Sequence, residues 1–157
     1  MVQYLQVTPF SIGHRFIGIK EFKGEEDNPM LLAMLRLTGE GAFDGWPEHD
    51  EVPWCSAFLN WVFWLLRLPR SRSLRARSWL QVGRAVHLDD ATVGYDVVVL
   101  WRGENPPGPD VIKAPGHVGL YAGHDKDYVM LLGGNQQDTV SVQAFPRARI
   151  LGVRRPL

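Results

Sequence analysis

The single cysteine of this sequence lies where a nucleophilic thiol is expected. Cys55 follows Pro53 by two residues in the run DEVPWCSAFLNW (residues 50–61), and proline favours the first position of a helix. The sulfur is therefore predicted in the first helical turn, where unpaired backbone N–H groups and the helix dipole favour a thiolate. Asp50 and Glu51 oppose ionisation if they point at the sulfur, and otherwise cap the helix or contact a substrate. The context favours a reactive thiol over an inert core cysteine.

A cysteine nucleophile needs a general base, and His117 is the histidine with the most suitable context. It opens a predicted strand after a Pro-Gly turn in the run APGHVGLYAG (residues 114–123). His117, Gly119 and Tyr121 share one face of that strand, and Gly119 leaves space beside the imidazole for another side chain or a substrate. The remaining histidines lie in loop-like or N-terminal polar contexts: His14, His49, His87 and His124.

The base needs a group that orients its ring, and the hairpin predicted after His117 supplies one. If residues 125–127 form the loop of this hairpin, His117 lies opposite Asn135 on the same face of the sheet. Asn135 then accepts a hydrogen bond from one ring nitrogen and leaves the other to take the thiol proton. A slip of one residue brings Gln136 or Gly134 opposite instead, and an asparagine after two glycines is also ordinary turn chemistry.

Helical periodicity followed by strand periodicity surrounds these residues and predicts an α+β domain. Helices are predicted at 29–38, 53–68 and 74–82, with Asn28 as the N-cap of the first. The second is apolar on nearly all faces, which is typical of a buried central helix. Strands separated by short links, which favour antiparallel pairing, are predicted at 95–101, 118–122, 128–132, 140–143 and 150–154. The helix that carries Cys55 is thus expected to pack on the antiparallel sheet that carries His117.

The composition is that of one ordinary globular domain without a cofactor. The 157 residues fit a single domain, and 45% of them are hydrophobic. Lys plus Arg equals Asp plus Glu at 17 each, so the net charge gives no reason to expect nucleic-acid or anionic-membrane binding. One cysteine excludes an internal disulfide, and no Cys/His cluster predicts a metal site. We expect a monomer whose longest apolar stretch, residues 55–68, is too short and interrupted to span a bilayer.

Several segments also resemble a known family, in the order in which that family has them. The runs PWCSAFLNW (53–61), GHVGLY (116–121) and LLGGNQ (131–136) resemble the papain-like peptidoglycan hydrolases of the NlpC/P60 and CHAP type. Together with EFKGEEDNP upstream and the closing GVRRP, they look more narrowly like a phage and prophage subgroup of small cell-wall hydrolases. The resemblance covers about residues 19–156.

The resemblance implies a papain-like fold and cleavage of an amide bond in the wall peptide. It implies Cys55 as nucleophile, His117 as base and Asn135 as the orienting residue. The backbone N–H of Cys55 is the expected oxyanion donor. Candidate walls of the substrate groove are Trp46 and Trp54, and further candidate substrate contacts are Asp50, Glu51 and Gln136.

The biological role stays open between two possibilities. The N-terminus has no basic start followed by a long apolar run, so no signal peptide is predicted. The protein is then made in the cytoplasm and reaches the wall by another route. A phage lysin released through a holin and an amidase effector injected by a secretion system both fit, and no separate wall-binding domain is predicted.

Two other functions compete with the thiol chemistry. A muramidase needs two carboxylates across a cleft, and the available acids are Glu21, Glu25, Asp44 and Glu51. A non-catalytic wall-binding module needs an aromatic groove but no thiolate. Residues 67–77 hold five arginines and no acid, which predicts either a solvated face or a basic rim for an anionic wall polymer.

Overall fold

The computed structural model of the chain describes residues 5–22, 27–39 and 54–157. Its described α-helices precede its strands, which confirms the predicted α+β class. The helices are α1 (Pro9–His14), α2 (Pro29–Gly39) and α3 (Cys55–Leu65), and the strands are β1 (Arg84–Val86), β2 (Val97–Trp101), β3 (Gly116–His124), β4 (Tyr128–Gly133), β5 (Ser141–Pro146) and β6 (Ile150–Arg155). Short 3₁₀ helices lie at Ala76–Gln81, Leu88–Asp90 and Arg147–Arg149.

The strands form one antiparallel sheet in the order β1-β6-β2-β3-β4-β5. The five predicted strands are all present, and antiparallel pairing is confirmed. Strand β1 is additional, because its three residues are too few for a period-two pattern to stand out. Strand β3 lies inside the sheet between β2 and β4: its first half, with His117, pairs with β2, and its second half pairs with β4. The candidate base is therefore carried by one of the most constrained strands.

The β3–β4 hairpin has the predicted loop and, at the end nearer His117, the predicted register. Asp125 closes the loop by accepting, through Oδ1, two backbone hydrogen bonds of 2.8 and 2.7 Å. Beside the loop the pairing is shifted by one residue. A β-bulge between Tyr121 and Gly123 corrects the shift, so that Tyr121 pairs with Leu131. The pairing beyond the bulge is the one that a loop at 125–127 predicts.

Helix α3 is buried against one face of the sheet, as predicted for the central helix. Its apolar residues share one core with alternate residues of β2, β3 and β4: Phe58, Leu59, Val62, Phe63, Val97, Val99, Val118, Leu120 and Leu132. The intervening strand residues form a second core on the opposite face, against which Phe145 and Ile150 pack. Because the sheet is buried on both faces, the N-terminal end of α3 meets a rigid surface.

The described helices begin close to their predicted starts. Helix α3 begins at Cys55, two residues later than predicted, so the thiol belongs to its first residue; Trp54 is the N-cap and makes no capping hydrogen bond through its side chain. Asn28 caps α2 as predicted, since its Oδ1 accepts a 2.9 Å backbone hydrogen bond from the first turn. Helix α1 is additional and begins with a capping box. No helix within the described ranges is long and apolar enough to cross a membrane.

Part of the arginine-rich segment 67–77 has a structural role. The Arg77 side chain is fully buried, and its guanidinium donates hydrogen bonds to the backbone oxygens of Pro107 (3.1 Å), Gly108 (2.7 Å) and Pro115 (3.1 Å). It therefore holds the proline-rich loop between β2 and β3 against the body of the protein. Arg77 does not belong to a solvated basic face.

Candidate active site

Cys55 is fully buried where the N-terminus of α3 meets β3. Burial raises the pKa of its thiol, and this effect outweighs the backbone N–H of Val118, the charge of Arg102 and the N–H groups of Ser56 and Cys55, which all lower that pKa. The helix terminus favours a thiolate as predicted, but desolvation leaves the thiol neutral in this structure. Val118 follows His117 on β3, so the sulfur lies against the strand that carries the candidate base.

His117 is buried on β3, and both of its ring nitrogens have partners. Nδ1 lies 3.2 Å from Nη2 of Arg102, and Nε2 lies 2.9 Å from Oε1 of Gln136. A guanidinium can only donate hydrogen bonds, so Nδ1 is the unprotonated acceptor and Nε2–H donates to Gln136. Nδ1 is thus the unprotonated ring nitrogen, and Arg102 occupies it.

Gln136, and not Asn135, holds the imidazole in place. The amide nitrogen of Gln136 donates to the backbone oxygens of Leu131 (3.2 Å) and Ser141 (2.7 Å), which fixes Oε1 as the atom that faces His117. Strand β4 ends two residues before Asn135, where the backbone turns with a φ of 56°. The turn ends the pairing that would have placed Asn135 opposite the ring. The orienting role predicted for Asn135 does not match this geometry, and the neighbouring glutamine occupies the position.

The imidazole of His117 is uncharged at neutral pH. Its pKa is lowered to about 4, mainly by burial and also by the charges of Arg102 and Arg149, whereas the hydrogen bond to Gln136 acts in the opposite direction. The Cys55 thiol and the His117 imidazole are therefore both neutral at rest. For the thiol proton to reach Nδ1, the guanidinium of Arg102 has to leave that nitrogen.

Arg102 and Arg149 are additions to the predicted site. Arg102 directly follows β2, and Arg149 directly precedes β6. Leu100 of β2 pairs with His117 on one side and Ile150 on the other, so both arginines lie at the end of the sheet where the candidate base is. A signal for Arg102 was present in the sequence, since an arginine directly after the predicted strand 95–101 lies near the start of the antiparallel neighbour of that strand.

The surroundings of His117 are filled by protein. The space left by Gly119 is occupied by Leu131, whose Cβ lies 2.9 Å from the position that a Cβ on residue 119 would take. Phe145 packs on the imidazole with a distance of 5.1 Å between ring centroids. Neither Cys55 nor His117 has exposed surface. A substrate can reach the pair only after a covering group has moved.

Trp54 is a core residue in this structure. Its side chain is 2% exposed, and its indole N–H donates to a carboxylate oxygen of Glu21. Its ring lies so close to Gly134 that a Cβ there would be 2.6 Å from Cζ3. Trp54 therefore offers no surface on which a substrate could stack, in contrast to the prediction. Gln136, also predicted as a substrate contact, is buried and is bonded to His117 instead. Three further predicted contacts lie outside the described residues: Trp46, Asp50 and Glu51.

A second histidine on β3 lies apart from this site. His124 is at the opposite end of the strand, where its Nδ1 is 2.7 Å from the Tyr121 hydroxyl and its Nε2 is 3.7 Å from Asp89 Oδ1. In the part of the chain that the structure describes, no three His, Cys, Asp or Glu side chains are placed to hold a metal ion. His124 provides a matched comparison for His117.

A helix that begins at a buried cysteine packs on an antiparallel sheet that carries a histidine. This arrangement is that of a known class of fold. The chain has an NlpC/P60 papain-like fold, as predicted. Among solved structures it is similar to NlpC1 from Trichomonas vaginalis, with a TM-score of 0.58 and 17% sequence identity over 98% of this chain and 46% of that one. The chain thus spans about half the length of this neighbour. No protein-family model and no curated protein matches the sequence. The likeness establishes the fold alone.

Proposed function

We propose that this protein is a peptidoglycan hydrolase that cleaves an amide bond of the wall peptide by thiol chemistry. The observation that carries the proposal is the placement of Cys55. It lies at the N-terminus of a buried helix and against the backbone of Val118, the residue that follows His117 on β3, and the His117 ring is oriented by Gln136. These are the parts that a cysteine nucleophile, a general base and an orienting group require.

The proposed reaction proceeds through an acyl-enzyme. Cys55 transfers its proton to Nδ1 of His117 and attacks the amide carbonyl, and His117 then gives that proton to the departing amine. Water, deprotonated by His117, attacks the thioester, so that the acid is released and the thiol is restored. Gln136 keeps Nε2–H occupied throughout, and the backbone N–H of Cys55 is a donor for the oxyanion.

We propose the role of a phage-type endolysin, released to the wall through a holin. The resemblance to small phage and prophage wall hydrolases supports this role. A secreted amidase effector with the same chemistry is the alternative. Both roles make the same prediction for the purified protein, because they differ in delivery and not in the bond that is cut.

The nucleophile and base are tested on purified peptidoglycan. Wild type, Cys55→Ala and His117→Ala are compared by the release of new amino groups, and the fragments are identified by mass. We expect wild type to release amines and each variant to lose activity by a factor on the order of 10³ or more. The fragment masses identify the amide bond.

His124→Ala is the matched control, because His124 lies on the same strand and contacts neither Cys55 nor His117. Its activity should stay within about twofold of wild type, and circular dichroism should show all variants folded. Equal activity of Cys55→Ala and wild type would assign the thiol to the core and favour the carboxylate mechanism of a muramidase. Binding to peptidoglycan without release of amines or sugars would favour a wall-binding module.

A further inference from the structure

Two arginines that have no carboxylate partner among the described residues lie near the candidate base His117. Arg102 donates to Nδ1 of His117, and Arg149 donates through Nε and Nη2 to the backbone oxygen of Trp101, at 3.1 Å each. The ion pairs found among the described residues involve other side chains. Burial lowers the pKa of Arg149, and the charge of Arg102 lowers it further. Like charges held this close are unfavourable unless an anion joins them.

The surroundings of Arg149 fix the direction of its guanidinium. Its central carbon lies 5.6 Å from the ring centroid of Trp101 and 5.9 Å from that of Phe145, a geometry suited to cation–π contact. Phe145 also packs on His117. The aromatic rings therefore hold the cation next to the imidazole, and a planar guanidinium held in this way is suited to a carboxylate.

We propose that Arg102 and Arg149 form a binding site for a carboxylate of the substrate, adjacent to the scissile amide. The proposal rests on the proposed hydrolase function and adds the substrate class: amides that carry a free carboxylate near the bond that is cut. The carboxylate draws Arg102 away from His117, because a charge-assisted hydrogen bond to an anion is stronger than one to a neutral imidazole. Nδ1 is then free to accept the proton of Cys55.

The substrate test compares two wall-peptide fragments that differ only at this carboxylate, one with the free acid and one with the primary amide. Wild type should cleave the acid with a kcat/KM at least about tenfold higher, the discrimination of a charged hydrogen bond. Arg149→Gln should reduce this preference to about twofold or less. Arg147→Gln is the matched control, because Arg147 donates to the backbone of Asp125 at the hairpin and should keep the preference.

A second readout needs no hydrolysis. Cys55 is the only cysteine, so its alkylation rates with iodoacetate and iodoacetamide compare an anionic with a neutral reagent of similar size. Any opening that exposes the thiol affects both reagents alike, and their ratio reports the local charge. We expect the rate with iodoacetate divided by the rate with iodoacetamide to fall by about fivefold or more in Arg102→Gln and in Arg149→Gln. The same ratio should be unchanged in Arg147→Gln.

The two readouts separate this proposal from the proposed function. If no protein cleaves peptidoglycan but the alkylation ratio falls in both arginine variants, the anion site stands and the hydrolase function fails. If wild type is active but cleaves acid and amide equally, the proposal is overturned. It is also overturned if the ratio of the iodoacetate rate to the iodoacetamide rate is the same in wild type and in Arg149→Gln.

Discussion

At Cys55 and His117, burial decides the charge states. The helix terminus and Arg102 favour a thiolate, but desolvation raises the thiol pKa, and burial lowers the pKa of His117 to about 4. Both groups are uncharged at neutral pH because neither has water to solvate its ionised form. In the proposed mechanism, proton transfer from Cys55 to His117 would therefore respond to any charge that a substrate brings into this buried region.

The stability of the protein should fall with acidity because of His117. An ordinary histidine in the unfolded chain binds a proton below about pH 6.5, whereas the folded pKa of about 4 keeps the buried ring neutral. Protonation thus favours unfolding, and stability present above pH 6.5 is lost as the pH falls toward 4. Between pH 7.5 and 4.5 the loss from this group is on the order of 2–3 kcal/mol.

Urea unfolding followed by tryptophan fluorescence at the two pH values measures this loss. His117→Gln removes the titrating ring. Between pH 7.5 and 4.5, the free energy of unfolding of this variant should therefore fall by less than that of wild type, with a difference on the order of 2–3 kcal/mol. His124→Gln should keep the dependence of wild type. Equal pH dependence in His117→Gln and wild type would mean that the ring is not held neutral by the fold.

Helix α3 is held at its buried end by a polar network. The Ser56 hydroxyl donates to the backbone oxygen of Ser73 (2.6 Å) and accepts from the indole N–H of Trp79 (2.9 Å). Asn60, one turn later, accepts through Oδ1 from the backbone N–H of Arg72 (2.8 Å). Because these polar groups are satisfied inside the core, the network resists displacement. The helix end that carries the thiol is fixed to the segment that follows α3.

On its other side, the start of α3 meets Gly134, the first residue after β4. A Cβ on that residue would lie 2.6 Å from Cζ3 of Trp54 and 2.8 Å from Cβ of Phe58. Gly134→Ala should therefore push α3 away from β4 and lower the free energy of unfolding by about 1–3 kcal/mol. Urea unfolding measures this change. In Gly108→Ala the added methyl meets open space, and stability should change by no more than about 0.5 kcal/mol. An equal effect of both variants would contradict the close approach.

Across the whole molecule, β2 and β6 are joined by a buried ion pair. Arg155 at the end of β6 donates through Nε and Nη2 to the two carboxylate oxygens of Asp96, at 2.7 Å each. The Asp96 side chain is fully buried, and its Oδ2 also accepts from the backbone N–H of Thr92 (2.8 Å). Removing one partner of such a pair leaves the other charge buried without compensation. The pair thus links the strand before Arg102 to the last strand of the chain.

Asp96→Asn should destabilise the protein by about 3 kcal/mol, the low end of the range for a broken buried pair, since Arg155 keeps some contact with water. Thermal and urea unfolding measure the loss. Asp127→Asn is the matched control, because the pair of Asp127 with Lys126 spans 3.9 Å between exposed side chains. Its loss should stay below about 1 kcal/mol. Similar losses in both variants would show that burial of the Asp96 pair does not matter.

The sequence by itself determined most of the elements and indicated two of the candidate site residues. Alternating and helical periodicities predicted α2, α3 and five strands, and the loop at 125–127 predicted the register near His117, because these features depend on residues that are close along the chain. The positions of Cys55 and His117 followed from their local contexts. The positive φ at Asn135, the switch to Gln136, the burial that sets the charge states and the placement of Arg102 and Arg149 depended on the tertiary structure. Each of these arises from contacts between separate strands or between a helix and the sheet, and local patterns of residue type do not encode such contacts.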